Sequence, residues 1–113
     1  MRLPGVEDAV VDPRKIRDYL LSTSHALGRF KASFFLGLGY TTSTWDLLAT
    51  DLRTLAEQQE AEPAGGSDYG QKYIVSGMLK GPSGRTSEVV TVWIVLSGEV
   101  APRFVTAFPG GDQ

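Results

Sequence analysis

Apolar residues recur along this chain first with a helical spacing and then with a two-residue spacing. Asp12-Pro13 opens a helix, with Asp as N-cap and Pro at the first helical position. Over residues 13–21, Ile16, Tyr19 and Leu20 share one face, and Arg14, Lys15, Arg17 and Asp18 lie outside it. Residues 22–25 read as a loop. Gly28 disfavours a helix begun at Ser24, so a second helix is expected from near Gly28 to Gly37 or Gly39. Phe30, Phe34 and Leu38 form its apolar stripe. Thr41, Thr42, Ser43 and Thr44 offer N-caps for a third helix reaching about Gln59. Its apolar face is Trp45, Leu48, Leu52, Leu55 and Ala56.

The pattern then changes. Residues 60–70 are polar and hold Pro63, Gly65, Gly66 and Gly70, which reads as a loop. Residues 71–80 alternate, with Tyr73, Val75 and Leu79 on one face and Ile74 and Met78 on the other. Gly81-Pro82-Ser83-Gly84 is a turn. Residues 85–96 are β-branched on both faces, as a central strand is. After the turn at 97–99, Pro102 starts a last strand to Phe108. The expected architecture is α+β, three N-terminal helices packed on a three- to four-stranded antiparallel meander. One domain, 1–113, is expected: an extended lead-in or short edge strand at 1–12, helices at 13–60, a loop at 61–70 and the sheet at 71–109.

Composition narrows the chemistry. There is no cysteine, which removes disulfides, thiolate metal sites and cysteine catalysis. One histidine and no spaced carboxylates leave no metal site to expect, and no cofactor motif is present. No apolar run spans a membrane, and the first residues lack a signal-peptide core. The expected location is the cytoplasm, or a larger secreted polypeptide from which the domain is released. The net charge of −2 argues against a nonspecific nucleic-acid coat. The charge is uneven, however. Residues 13–41 carry five cations against Asp18, whereas residues 42–70 carry six carboxylates against Arg53. One reading is a basic side made by the first helices and the sheet and an acidic side on the third helix; the plainer reading is ordinary solvated faces.

Lys31 falls beside Phe34 and Phe35 on the buried flank of the second helix, where an unpaired charge is costly. It can stabilise an oxyanion or phosphorane; the plainer reading is an aliphatic stem covering the phenylalanines while the ammonium reaches water. His25 is the side chain that titrates near neutrality, an acid/base candidate or an exposed loop histidine. Within a helix it would point away from the phenylalanine stripe; in a loop it is free to fold toward Lys31. Arg103 can clamp phosphate or pair with Glu88 or Glu99. Thr106, three residues on in a strand, faces the other way unless a bulge intervenes. Tyr69 and Tyr73 can stack on a base or belong to the rim of the core, and Arg29 and Phe108 complete the binding candidates.

Two stretches carry a family resemblance. One is His25-Ala-Leu-Gly28-Arg-Phe-Lys31-Ala32-Ser-Phe34-Phe35. The other joins Asp68-Tyr69-Gly70, Gly81-Pro-Ser-Gly84-Arg85, Trp93-Ile94-Val95 and Pro102-Arg103-Phe104-Val105-Thr106-Ala107-Phe108-Pro109. From Leu3-Pro4-Gly5 to Pro109 the chain resembles a small bacterial domain family of unknown function. More distantly, its helices-then-sheet order is similar to the barnase, EndoU, colicin and RelE ribonuclease superfamily. That resemblance implies metal-independent, toxin-like RNA cleavage to a 2′,3′-cyclic phosphate. His25 would be the acid/base, Lys31 and Arg103 would stabilise the phosphorane, and Thr106 would position the phosphate or 2′-hydroxyl. The rival expectation is a non-catalytic, immunity-like module whose acidic third helix binds a basic protein partner. A nuclease requires His25, Lys31 and Arg103 or Thr106 to converge around a cleft; an interaction module does not.

Overall fold

The computed structural model describes residues 1–23 and 29–110, with the backbone alone at 29 and 30. Helical segments come first and an antiparallel sheet follows, so the α+β expectation holds. The Asp12 side chain accepts the Arg14 N–H and caps α1 (Pro13–Lys15). The chain continues as a π-helical turn, Ile16–Leu20, in which Leu21 N donates to Ile16 O at 3.0 Å. Ile16, Leu20 and Leu21 are buried. The second helix, α2 (Arg29–Gly37), is followed by a 3-10 turn, Thr42–Thr44, and then by α3 (Trp45–Gln58). Thr41 and Thr44 cap the turn reciprocally.

The buried face of α3 is Leu48, Ala49, Leu52, Leu55 and Ala56, as the apolar spacing predicts, with Trp45 half-buried. The face of α2 is wider than the expected stripe, whose Phe30 side chain lies outside the described residues. Among the described side chains of α2, Ala32 and Phe35 are buried and Phe34 is half-covered, and Leu38 is buried just past the helix end. Phe34 packs edge-on against Phe35, with centroids 4.9 Å apart. Adjacent bulky residues on a nine-residue helix cannot all face inward, and Phe35 with the small Ala32 fits closest to the sheet.

The sheet is a meander in the order β1-β2-β3-β4: β1 (Ala61–Gly66), β2 (Gly70–Lys80), β3 (Thr86–Leu96) and β4 (Arg103–Pro109). The first of these corrects the reading of 61–70 as a loop. Pro63 and the glycines are tolerated because β1 is an edge strand paired with β2 alone, across an irregularity between Pro63 and Gly66. The lead-in is also not simply extended. It contains a 3-10 turn at Val6–Asp8, and Val10 then bridges in parallel to Arg103. Phe104 N donates to Val10 O and Val10 N to Pro102 O, both at 2.9 Å. This short bridge lays the start of α1 beside the β4 edge.

The helices cover one sheet face, with α2 against β4 and α3 against β2. Trp93 is fully buried at the centre and meets Phe104 edge-to-face, with centroids 5.4 Å apart. Its indole N–H donates to Thr91 Oγ1 at 2.9 Å, and that hydroxyl donates to Val75 O at 2.7 Å. The chain so satisfies its buried polar side chains within the described residues. The β2–β3 turn tucks under the end of α2, where Ser83 N donates to Leu38 O. A Cβ on Gly81 would collide with that carbonyl, and one on Gly39, at φ +104°, would collide with the Ser83 backbone. Among the described residues no helix is long and apolar enough to cross a membrane.

Candidate functional site

β4 carries the irregularity that shapes the site. Val92 pairs with Thr106 and Trp93 with Phe104, so Val105 has no opposite residue. Phe104 and Ala107, three apart, are therefore both buried against the core. The bulge sits at the sheet edge, where the end of α1, the π-helical turn and α2 come close. Lys15 Nζ reaches it and donates to Val105 O at 3.2 Å.

Lys31 projects from the first turns of α2 into the same place. Its ammonium donates to Tyr19 Oη at 2.9 Å and to Thr106 Oγ1 at 3.1 Å. The side chain is half-buried, and among the described residues no carboxylate pairs with it. The three residues line an open groove of about 600 Å³ together with Asp12, Arg14, Lys15 and Val105. The Lys31 ammonium, donating to the phenol oxygen, holds Tyr19 below its ordinary pKa, with burial opposing and Thr106 adding a further hydrogen bond. Asp12 is held at about 2, chiefly by the Arg14 guanidinium and backbone N–H. The groove thus carries three cations, and among the described residues Arg14 alone of them has a carboxylate partner.

The proposed residues do not all meet there. Lys31 and Thr106 do. Arg103 does not line the groove; its guanidinium grips Glu99 through two hydrogen bonds of 2.9 and 3.1 Å. Glu99 lies in the β3–β4 connection, four positions before Arg103, so the ion pair expected as the alternative to phosphate binding forms locally rather than across strands. His25 lies outside the described residues, and so does the Arg29 side chain. Tyr69 stands on the β1–β2 turn, 81% exposed. Tyr73 packs against the core opposite Trp93, and Phe108 is half-buried in β4 opposite Val90. None of these three aromatics lines the groove. Among the described residues no three His, Asp or Glu side chains gather as metal ligands would.

Sequence reasoning left out Tyr19, Arg14, Lys15 and Asp12. One signal for them was present. Lys15 and Tyr19 stand four apart, one helical turn, immediately after an N-cap that fixes where that turn begins.

A protein-family pattern matches residues 2–111. This chain belongs to DUF6883, a domain of unknown function. The DUF6883 chain is also similar to a chain in the contact-dependent growth inhibition toxin–immunity protein complex from Klebsiella pneumoniae 342. That likeness has a TM-score of 0.68 at 23% identity and covers 96% of this chain and 98% of the other. At that identity it establishes a shared fold. No curated protein sequence matches the chain.

Proposed function

We propose that this DUF6883 domain is a metal-independent ribonuclease of the toxin type. The observation that carries the reading is the pairing of Lys31 with Thr106 at 3.1 Å in an open groove lined by cations. A half-buried ammonium with hydroxyl partners and, among the described residues, no carboxylate is disposed to receive an anion. In the proposed reaction a ribose 2′-hydroxyl attacks the neighbouring phosphorus, leaving a 2′,3′-cyclic phosphate and a 5′-hydroxyl. Lys31 offsets the charge that develops on the phosphorane oxygens. Thr106 orients the phosphate, and His25 accepts the 2′-hydroxyl proton. Arg103 is left out of this scheme because Glu99 holds it. The whole of 1–113 acts as one domain, on RNA in the cytoplasm.

The structural neighbour supports the toxin setting, since its complex pairs a toxin with an immunity protein. The same likeness favours a second reading, an immunity-like module without catalysis. Its observation is the acidic outer face of α3, where Asp46 and Glu57 are exposed to a basic partner.

The two readings separate in one experiment. Total RNA is incubated in EDTA with wild type, with Lys31→Met and with His25→Ala. The ribonuclease reading expects cyclic-phosphate ends from wild type alone. No cleavage over a wide range of protein concentration overturns it and leaves the interaction module.

A further inference from the structure

We propose that Tyr19 is a catalytic residue of the ribonuclease described above, its phenol acting as the general acid that protonates the departing 5′-oxygen. The inference rests on that reading and adds the second proton carrier that such a reaction needs. Attack by the 2′-oxygen forms one P–O bond, and its proton passes to a base. As the P–O5′ bond breaks, its electron pair stays on the 5′-oxygen, which becomes an alkoxide unless a proton arrives.

Tyr19 is placed to deliver that proton. Tyr19 lines the groove, with its hydroxyl in a hydrogen bond with Thr106 and 2.9 Å from the Lys31 ammonium, which donates to the phenol oxygen. This contact does two things. It pulls electron density from the phenol oxygen, so the O–H becomes a stronger acid, in keeping with the downward direction of its pKa. It also leaves a cation in place to hold the phenolate that results. Solvent water then returns the proton between turnovers.

The other groove residues are unsuited to the task. The Asp12 carboxylate, with a pKa of about 2, carries no proton at neutral pH. Arg14 is bound to it, and the guanidinium pKa is pushed up. Lys15 is engaged with the Val105 carbonyl at 3.2 Å. Tyr19 lies in the π-helical turn that closes the first helical segment, a geometry frequent at functional sites.

The test compares Tyr19→Phe with wild type on two substrates. One is ordinary RNA, whose 5′-alkoxide leaving group needs a proton. The other is a mixture of the four nucleoside 3′-(4-nitrophenyl phosphates), whose nitrophenolate departs without one. The expected result is a fall in kcat of about 100-fold or more on RNA and near wild-type rates on the aryl esters. The alkaline limb of the wild-type pH–rate profile should vanish in the variant. Equal losses on both substrates would show that Tyr19 only shapes the groove, and an unchanged rate on RNA would remove it from the reaction. Either result overturns the Tyr19 proposal while leaving the ribonuclease reading intact. Failure of wild type to cleave either substrate overturns both.

Discussion

Lys31 and Thr106 are 75 residues apart in the chain, and 3.1 Å separates the ammonium from the hydroxyl. A helix supplies the cation and a bulged edge strand the hydroxyl. Neither makes a site alone; the groove exists because the Val10–Arg103 bridge brings α1 to the same edge.

Lys31→Met tests what the cation is for. The substitution keeps the stem and removes the charge. Its two partners are neutral hydroxyls, which can bond to each other or to water, so the change in folding stability should stay within about 1 kcal/mol. RNA cleavage should disappear. A large drop in melting temperature would instead make Lys31 a structural residue.

Arg103→Ala and Thr106→Val form a contrasting pair. Arg103 is committed to Glu99 on the surface, so its removal should leave cleavage at the wild-type rate. Thr106→Val keeps the β-branched shape and loses the hydroxyl that Lys31 contacts. It should slow cleavage of RNA with little change in melting temperature. The reverse ranking in steady-state kinetics would return Arg103 to the site.

Thr91→Val probes the core. The Thr91 hydroxyl accepts from the Trp93 indole and donates to the Val75 carbonyl, all of it buried. Valine leaves the indole N–H without a partner. The expected cost is about 1–3 kcal/mol, read by denaturant or thermal unfolding. A variant as stable as wild type would show that the bridge contributes nothing.

Tyr40 gives the fold an alkaline limit. Its side chain is buried and donates to Asp51 Oδ2 at 2.6 Å, and burial with this carboxylate pushes the phenol above its ordinary pKa of 10. An acid whose folded pKa is raised contributes stability that is complete below the unfolded value. Above about pH 10 the unfolded tyrosine ionises while the folded one does not, so that contribution declines as pH rises. Tyr40→Phe should lower stability at pH 7 by about 1.5–3 kcal/mol, a hydrogen bond to a charged group. It should also flatten the decline above pH 10. Chemical denaturation from pH 7 to 11 checks both.

Much of the fold was legible in local chemistry. Asp12-Pro13, the Thr41–Thr44 pair and the turn at 81–84 mark their element boundaries through caps and backbone preference, which act over a few residues. The apolar period of α3 and the two-sided β-branching of β3 named a buried helix face and a central strand, because burial selects for those periods directly. The edge strand β1 escaped because Pro63 and paired glycines carry a turn signal. Only the presence of β2 alongside turns that stretch into a strand. The stripe on α2 was legible in part: Leu38 is buried and Phe34 packs against the core, the Phe30 side chain lies outside the described residues, and Ala32 and Phe35 join the buried face because periodicity allows a wider face than one stripe.

For the candidate site the division is sharper. The sequence by itself determined that Lys31 would be a cation on a mostly apolar helix with no carboxylate near it in the chain. It also determined that Arg14, Lys15 and Tyr19 would share one short helical segment. Only the tertiary structure decided which residues meet. The bulge at Val105 puts Thr106 at the β4 edge within reach of Lys31, and Glu99 takes Arg103. Periodicity and capping are energies of neighbours along the chain, whereas a groove is made by long-range closure. A one-residue shift of register at an edge strand settles which side chain faces it.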